Sequence, residues 1–383
     1  MRNLHLKNLF ILTFPVLTVL FFFQNCNPVN SQVATSPTFS QAGRKLGIHI
    51  TQPQGEVFET TFSLALANRF NHTNLHQIWG PGTFPPSGLP VAPFVTDSAG
   101  ILFDFAVLDI ANAFYPTANM PVMLTIGTID TNNKFVPANF NSVAFDDISL
   151  RTAFKTMLTN MMPHLVNTQL VSLQIGNEVD AYLGTDPAAW AKYKIFFDDV
   201  AAHARTLRPG LLVGTTVTLT AAINPTLQPL VQSLQATADI ISITYYPLNA
   251  DFSVKSSAAV ANEMAALVTA FSSKPIYFQE IGFPSGVGSA SSEEMQRQFV
   301  ADFFATWDIF ATQIPVVSWV NYTEWSPATV NAFGSQYGVC PGPLCSGFKE
   351  FLQTLGLRSY SSGVAKPALT EIQNQMNLRS WIF

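Results

Sequence analysis

The chain has 383 residues, 48% of them hydrophobic and only 11% charged, and carries a net charge of −5. Ordinary proteins are about 25% charged, so solvation by surface charge is sparse here, and 32 phenylalanines make the interior aromatic. No basic run exists to grip phosphates, which argues against a nucleic-acid partner, and the length suits one large α/β core better than a minimal domain.

Residues 1–25 read as a signal peptide. Arg2 and Lys7 give a positive start, and Leu9 to Phe23 is an uncharged apolar run interrupted by Pro15, shorter than the roughly 20 residues of a spanning helix. Cys26 follows, then a tract rich in Asn, Ser, Thr, Gln and Pro through residue 42 with too little apolar surface to fold. That order resembles a bacterial lipoprotein and makes Cys26 a candidate lipidation site, hence a membrane attachment. Phe23, Gln24 and Asn25 depart from the small residues usual before such a cysteine, and ordinary secretion is the alternative. In either case the expectation is export, to the cell envelope or beyond it.

From residue 43 onward, strand-like and helix-like segments alternate. The strand candidates are Leu46 to Ile50, Leu75 to Trp79, Val122 to Ile126, Leu170 to Ile175, Leu211 to Val217, Ile240 to Tyr246, Ile276 to Gln279 and Val316 to Tyr322. Between them lie helix-length amphipathic stretches: Gly55 to Phe70, Gly100 to Phe114, Asp147 to Leu165, Pro187 to Leu207, Pro225 to Ala236, Val254 to Phe271, Ser291 to Ala311 and, last, Gly347 to Leu355. Pro187 suits a first helical turn, Pro209-Gly210 a helix end, and Ser291 ahead of Glu294 a capping box. Eight βα units in series predict a single (β/α)8 barrel over residues 43–383, with its site at the carboxyl ends of the strands. An open doubly wound sheet is disfavoured because no Gly-rich turn follows the first strand.

Two strand ends carry the chemistry. LQIGNEVD (Leu173 to Asp180) and IYFQEIGFPSG (Ile276 to Gly286) are apolar runs that stop at Glu178 and Glu280. A carboxylate ending a buried strand is costly unless it has partners or a task. In a barrel these two project into one mouth from nearly opposite sides, as glycoside cleavage with retention requires: one group to protonate the departing oxygen and one to attack the sugar carbon.

Asn177-Glu178 on strand four and Glu280 followed by Gly-aromatic-Pro on strand seven resemble the clan of retaining (β/α)8-barrel glycoside hydrolases. The Tyr-Tyr-Pro of SITYYPL on strand six is similar to arabinogalactan endo-β-1,4-galactanases in particular. The resemblance implies that Glu178 is the acid/base, Glu280 the nucleophile, Asn177 the partner of the sugar 2-hydroxyl, and Tyr246 the donor to the nucleophile. It also implies a tryptophan platform on strand eight, where VVSWVNYTEWSP offers Trp319 and Trp325, and an arginine on strand two, where NLHQIWG has none and Gln77 or His76 would stand in.

His49, ending strand one, is a further candidate for contact with substrate. Asp180 reads as a loop cap and Glu324 as a solvated charge or subsite ligand. His72 and His76 straddle a loop-to-strand boundary and do not suggest a metal pair. Cys340 and Cys345 in VCPGPLC form an even pair suited to a local disulfide, and the Pro- and Gly-rich Gly80 to Ala99 loop suits a wall of the cleft. The expected partner is a β-linked oligo- or polysaccharide, with no cofactor and no metal. A sugar-binding barrel without activity and a transglycosylase are the alternatives.

Overall fold

The computed structural model describes residues 43–80 and 105–381, together with the backbone of the short antiparallel pair Val95–Thr96 and Leu102–Phe103. The expected signal peptide, Cys26 and most of the Gly80 to Ala99 loop expected to wall the cleft lie outside the described residues.

The parallel strands are β1 (Lys45–Ile48), β2 (Thr73–Ile78), β3 (Val122–Asp130), β4 (Leu170–Asn177), β5 in two pieces (Val213–Gly214 and Thr216–Thr218), β6 (Ile241–Tyr245), β7 (Ile276–Ile281) and β8 (Val316–Trp319). Neighbours pair in order from β1 to β8, and β8 pairs with β1, Lys45 opposite Val316 and Ile48 opposite Trp319. The two ends of this path are the two pieces of β5, one on β4 and one on β6, separated only by Thr215. The sheet therefore closes into the expected (β/α)8 barrel.

The barrel helices are α1 (Phe58–Ala67), α2 (Ala106–Phe114), α3 (Ile148–Met161), α4 (Pro187–Leu207), α5 (Gln228–Leu234), α6 (Ala259–Ala270), α7 (Glu293–Ile309) and, after α8 (Pro327–Gln336) and α9 (Cys345–Gln353), α10 (Pro367–Leu378). The aromatic wealth of the sequence fills the shell between strands and helices. Trp79 meets Phe154 edge-on, and Phe299, Phe303 and Trp307 of α7 run in series behind β7. The barrel interior is polar by contrast: Ser242 and Thr216 share a hydrogen bond, and Ser318 donates to Asn74 while contacting His72. Period-two alternation separates the two materials, since successive strand residues face opposite sides of the sheet.

Two expectations need correction. The helix that packs on α7 and completes the ring is α10 (Pro367–Leu378), not the Gly347 to Leu355 segment. The latter belongs to α9, which pairs with α8 as an additional layer over the barrel mouth. Its loop is joined by a disulfide between Cys340 and Cys345. The cap of α7 is Ser292, whose side chain accepts from the Met295 N–H, so Glu294 is not in capping-box register and Ser291 instead donates to Pro284 O.

Candidate active site

One cavity of about 330 Å³ opens at the carboxyl ends of the strands and is lined by both Glu178 and Glu280. Each glutamate follows a residue that also lines it, Asn177 and Gln279 respectively. In a regular strand one member of each pair would face away. The chain solves this differently at the two ends. On β4, Glu178 takes a left-handed conformation (φ 46°, ψ 44°), a state costly for a residue with a side chain and concentrated at functional positions. Two residues earlier Gly176 sits at φ 85°, where a Cβ would lie 2.2 Å from the Tyr193 hydroxyl. On β7, the register with β6 slips by one residue, Phe278 opposite Ile243 and Glu280 opposite Thr244, leaving Gln279 as a bulge. A bulge re-aims the side chain that follows it.

The polar floor is tightly cross-linked. Asn177 Nδ2 donates to Asp130 Oδ1 (2.9 Å), and Gln279 Nε2 donates to Asn177 Oδ1 (3.1 Å) while its own Oε1 accepts from Thr216. Glu178 accepts from Thr131 (2.9 Å) and Thr244 (2.7 Å), one hydroxyl per carboxylate oxygen. Glu280 accepts from the Tyr246 hydroxyl at 2.6 Å. Tyr245, one residue earlier, points outward and donates to Glu263 on α6.

Both glutamates bind their protons more tightly than usual. Burial pushes Glu178 up to about 8, with the Glu280 charge adding to it and the two threonines opposing. Burial likewise raises Glu280, to about 7, against the pull of Tyr246 and Gln279 and with a push from Asp130. No lysine or arginine lines the cavity among the described residues. Where the resemblance expects an arginine on β2, the inward positions are Asn74 and His76. Asn74 donates to the Gln279 carbonyl at 2.6 Å, and burial keeps His76 below its ordinary pKa. Gln77 falls on the opposite face of β2 and does not line the cavity.

Of the remaining candidates, His49 lines the cavity and is lowered to about 4 by burial, so it presents a neutral imidazole. Trp325 lines the cavity, and its buried indole N–H has no hydrogen-bond partner among the described residues. Trp319 does not line it: the ring is 1% exposed and packs edge-on against Phe299. Asp180 accepts from both the backbone and the hydroxyl of Thr218, tying the loop after β4 to the end of β5. Glu324 is neither solvated nor in the cleft, since it pairs with Lys366 and accepts from the Tyr360 N–H. His72 lies in the barrel interior against Ser318.

Among the cavity residues that escaped the sequence reading, Asp130 and Tyr337 are joined to each other. Asp130 ends β3, which runs four residues beyond the expected Ile126. Its signal was the one used elsewhere, a strand-like run stopping at an acidic residue. Tyr337 reaches down from the end of α8 and donates to Asp130 Oδ2 at 2.8 Å. Nothing local in the sequence marks it.

No protein-family description matches the sequence, and no curated protein is detectably similar to it. Solved structures share the fold. A GH5_18 protein from Bifidobacterium longum subsp. longum, solved with Manβ1-4GlcNAc, is 16% identical with a TM-score of 0.62, over 88% of this chain and 79% of that one. An exo-β-1,4-mannosidase from Opitutaceae bacterium strain TAV5 is 15% identical with a TM-score of 0.62, over 91% of this chain and 62% of that one. A GH53 catalytic domain from Ignisphaera aggregans is 16% identical with a TM-score of 0.56, over 82% and 87%.

Proposed function

We propose that the chain is a retaining β-glycoside hydrolase, with Glu178 as acid/base and Glu280 as nucleophile. The observation that carries this reading is the pair of strand-end glutamates in one cavity, each turned inward by its own backbone irregularity, with burial raising the proton affinity of both and the Glu280 charge raising that of Glu178 further. An acid and a nucleophile must titrate apart, and two carboxyls that raise one another do so. A Glu280 oxygen attacks the anomeric carbon as the bond to the leaving oxygen breaks, and the Glu178 proton passes to that oxygen. Water then gives its proton to Glu178, attacks the same carbon and frees Glu280. Tyr246 steadies the ionised Glu280 through its 2.6 Å bond, Asn177 and His49 face the sugar hydroxyls, and Trp325 provides an indole face. One fold neighbour is named as an exo-β-1,4-mannosidase, which is in keeping with this reaction class.

Sugar release from β-glycosides of the gluco, galacto, manno and xylo series, small glycosides as well as polysaccharides, tests the reading, with the wild type run beside Glu178→Gln and Glu280→Gln. Release from at least one of them by the wild type alone is the expected result. The missing cation favours one competitor, a barrel that binds sugar without cleaving it. Equal binding by all three proteins with no release from any glycoside would establish that competitor instead. The proposal includes export, with Cys26 as a lipid site, and the mass of the mature N-terminal peptide checks it.

A further inference from the structure

The cavity is made of two materials. Its floor holds the carboxylates and amides, whereas one wall is built from Leu248 and Phe252 after β6, Trp325 after β8, and Phe348, Phe351 and Leu352 of α9. These side chains belong to an apolar cluster separate from the main core. Phe252 stacks on Phe351, which meets the ring of Tyr246 edge-on at 5.2 Å, so the wall is continuous with the donor that grips Glu280.

A sugar ring in this cavity needs partners for several hydroxyls, because each hydroxyl buried against apolar carbon without one loses its bonds to water unreplaced, and the loss adds up over the ring. Only the floor supplies such partners in number. The wall offers hydrocarbon, since the indole N–H of Trp325 is itself buried. A volume of about 330 Å³ lies within the roughly 300–1,000 Å³ typical of small-ligand sites.

Building on the hydrolase reading above, we infer that the substrate is a small β-glycoside with an apolar, alkyl or aryl, aglycone. The sugar lies on the floor between Glu178 and Glu280, and the aglycone lies against the Leu248, Phe252, Phe351 and Leu352 wall. The leaving group is then an apolar alcohol or phenol rather than another sugar.

The test uses n-alkyl β-glycosides from methyl to hexyl in the gluco, galacto and manno series, because alkyl alcohols leave with nearly equal acidity and the series isolates burial. Binding is measured by calorimetry on Glu280→Gln protein and turnover on the wild type. The expected result is a gain of about fourfold in affinity and in kcat/KM per methylene, roughly sixtyfold from methyl to butyl, until the wall is covered. Leu248→Asn or, independently, Phe252→Ala should flatten that slope. Affinity indifferent to chain length, but rising along a β-linked oligosaccharide series, would overturn the proposal. A steep binding slope with no turnover of any glycoside would support the apolar wall while refuting the hydrolase reading on which it is built, so the two failures are distinguishable.

Discussion

The floor and the roof of the cavity are stabilised in opposite ways. On the floor, Asp130, Asn177, Gln279 and Thr216 form an unbroken chain of hydrogen bonds, and both glutamates are held by hydroxyl donors. The roof, α8 and α9, is a small apolar cluster around Phe333, Phe348 and Phe351, closed by the Cys340–Cys345 disulfide. It meets the floor through Tyr337, and the turn after β3 holds it through Asn132 and Asn133, which donate to the Tyr337 and Gln336 carbonyls. Directional bonds fix where a charge sits, whereas apolar packing fixes only what is excluded from water. On the proposed function, chemistry falls to the floor and selectivity to the roof.

The sharpest way to break this division is on the floor. Glu280→Gln should abolish turnover, and Glu178→Gln should lower kcat by about 10²- to 10⁴-fold for poor leaving groups, both read from steady-state rates with folding checked by circular dichroism. Any loss of comparable size from an apolar substitution in α9 would erase the distinction.

The pH profile follows from the two raised carboxyls. The active form needs Glu280 ionised and Glu178 protonated, so activity should rise near 7 and fall near 8, a narrow bell whose two limits belong to the coupled pair. Because the Glu280 charge helps to raise Glu178, Glu280→Gln should move the Glu178 titration downward, which carboxyl-labelled NMR would detect. The same shifts bear on stability. The folded chain keeps protons that the unfolded chain loses above glutamate's ordinary 4.5, so this contribution is full below that pH and is lost as pH rises through about 7 and 8. Glu178→Gln should therefore raise Tm relative to wild type at pH 8 and leave it nearly unchanged at pH 4.5, as differential scanning calorimetry would record.

Smaller effects test the links. Tyr246→Phe removes a bond to a charged group worth about 1.5–3 kcal/mol, a roughly ten- to hundredfold loss in kcat/KM, and should raise the acid limb because Tyr246 lowers the Glu280 pKa. Tyr337→Phe cuts the bond between roof and Asp130 and should cost about tenfold in kcat/KM while leaving the acid limb in place. Replacing Cys340 and Cys345 together by Ser opens a loop with a sequence separation of 5, for which the entropic gain of a crosslink is at most about 2 kcal/mol. Thermal unfolding should register that loss with little change in kcat.

Much of this was legible in the chain. The eight strand runs and the helix Pro187–Leu207 could be read because a strand buried on its outer face and an amphipathic helix both leave periodic marks. Glu178 and Glu280 stood out as charges ending apolar runs. Trp319 and Trp325 could not be told apart, because the choice depends on where β8 stops, and it stops at Trp319 itself, leaving Trp325 on the loop over the mouth. Gln77 was misplaced by one residue of alternation, which moves a side chain to the other face of the strand. The eighth helix was assigned to Gly347 to Leu355 because amphipathicity reports an apolar face without reporting what covers it.

The sequence by itself determined the barrel, through the order of its βα units, and the two glutamates, through the cost of ending a buried strand with a charge. Tertiary structure alone decided that Asn177 and Glu178, and Gln279 and Glu280, all face one cavity, because a left-handed residue and a bulge override the alternation that sequence reading relies on. It also brought Tyr337 to Asp130 across 207 residues, and set an apolar wall beside the carboxylates. Contacts of that kind are made by chain closure over long separations, which no local pattern records.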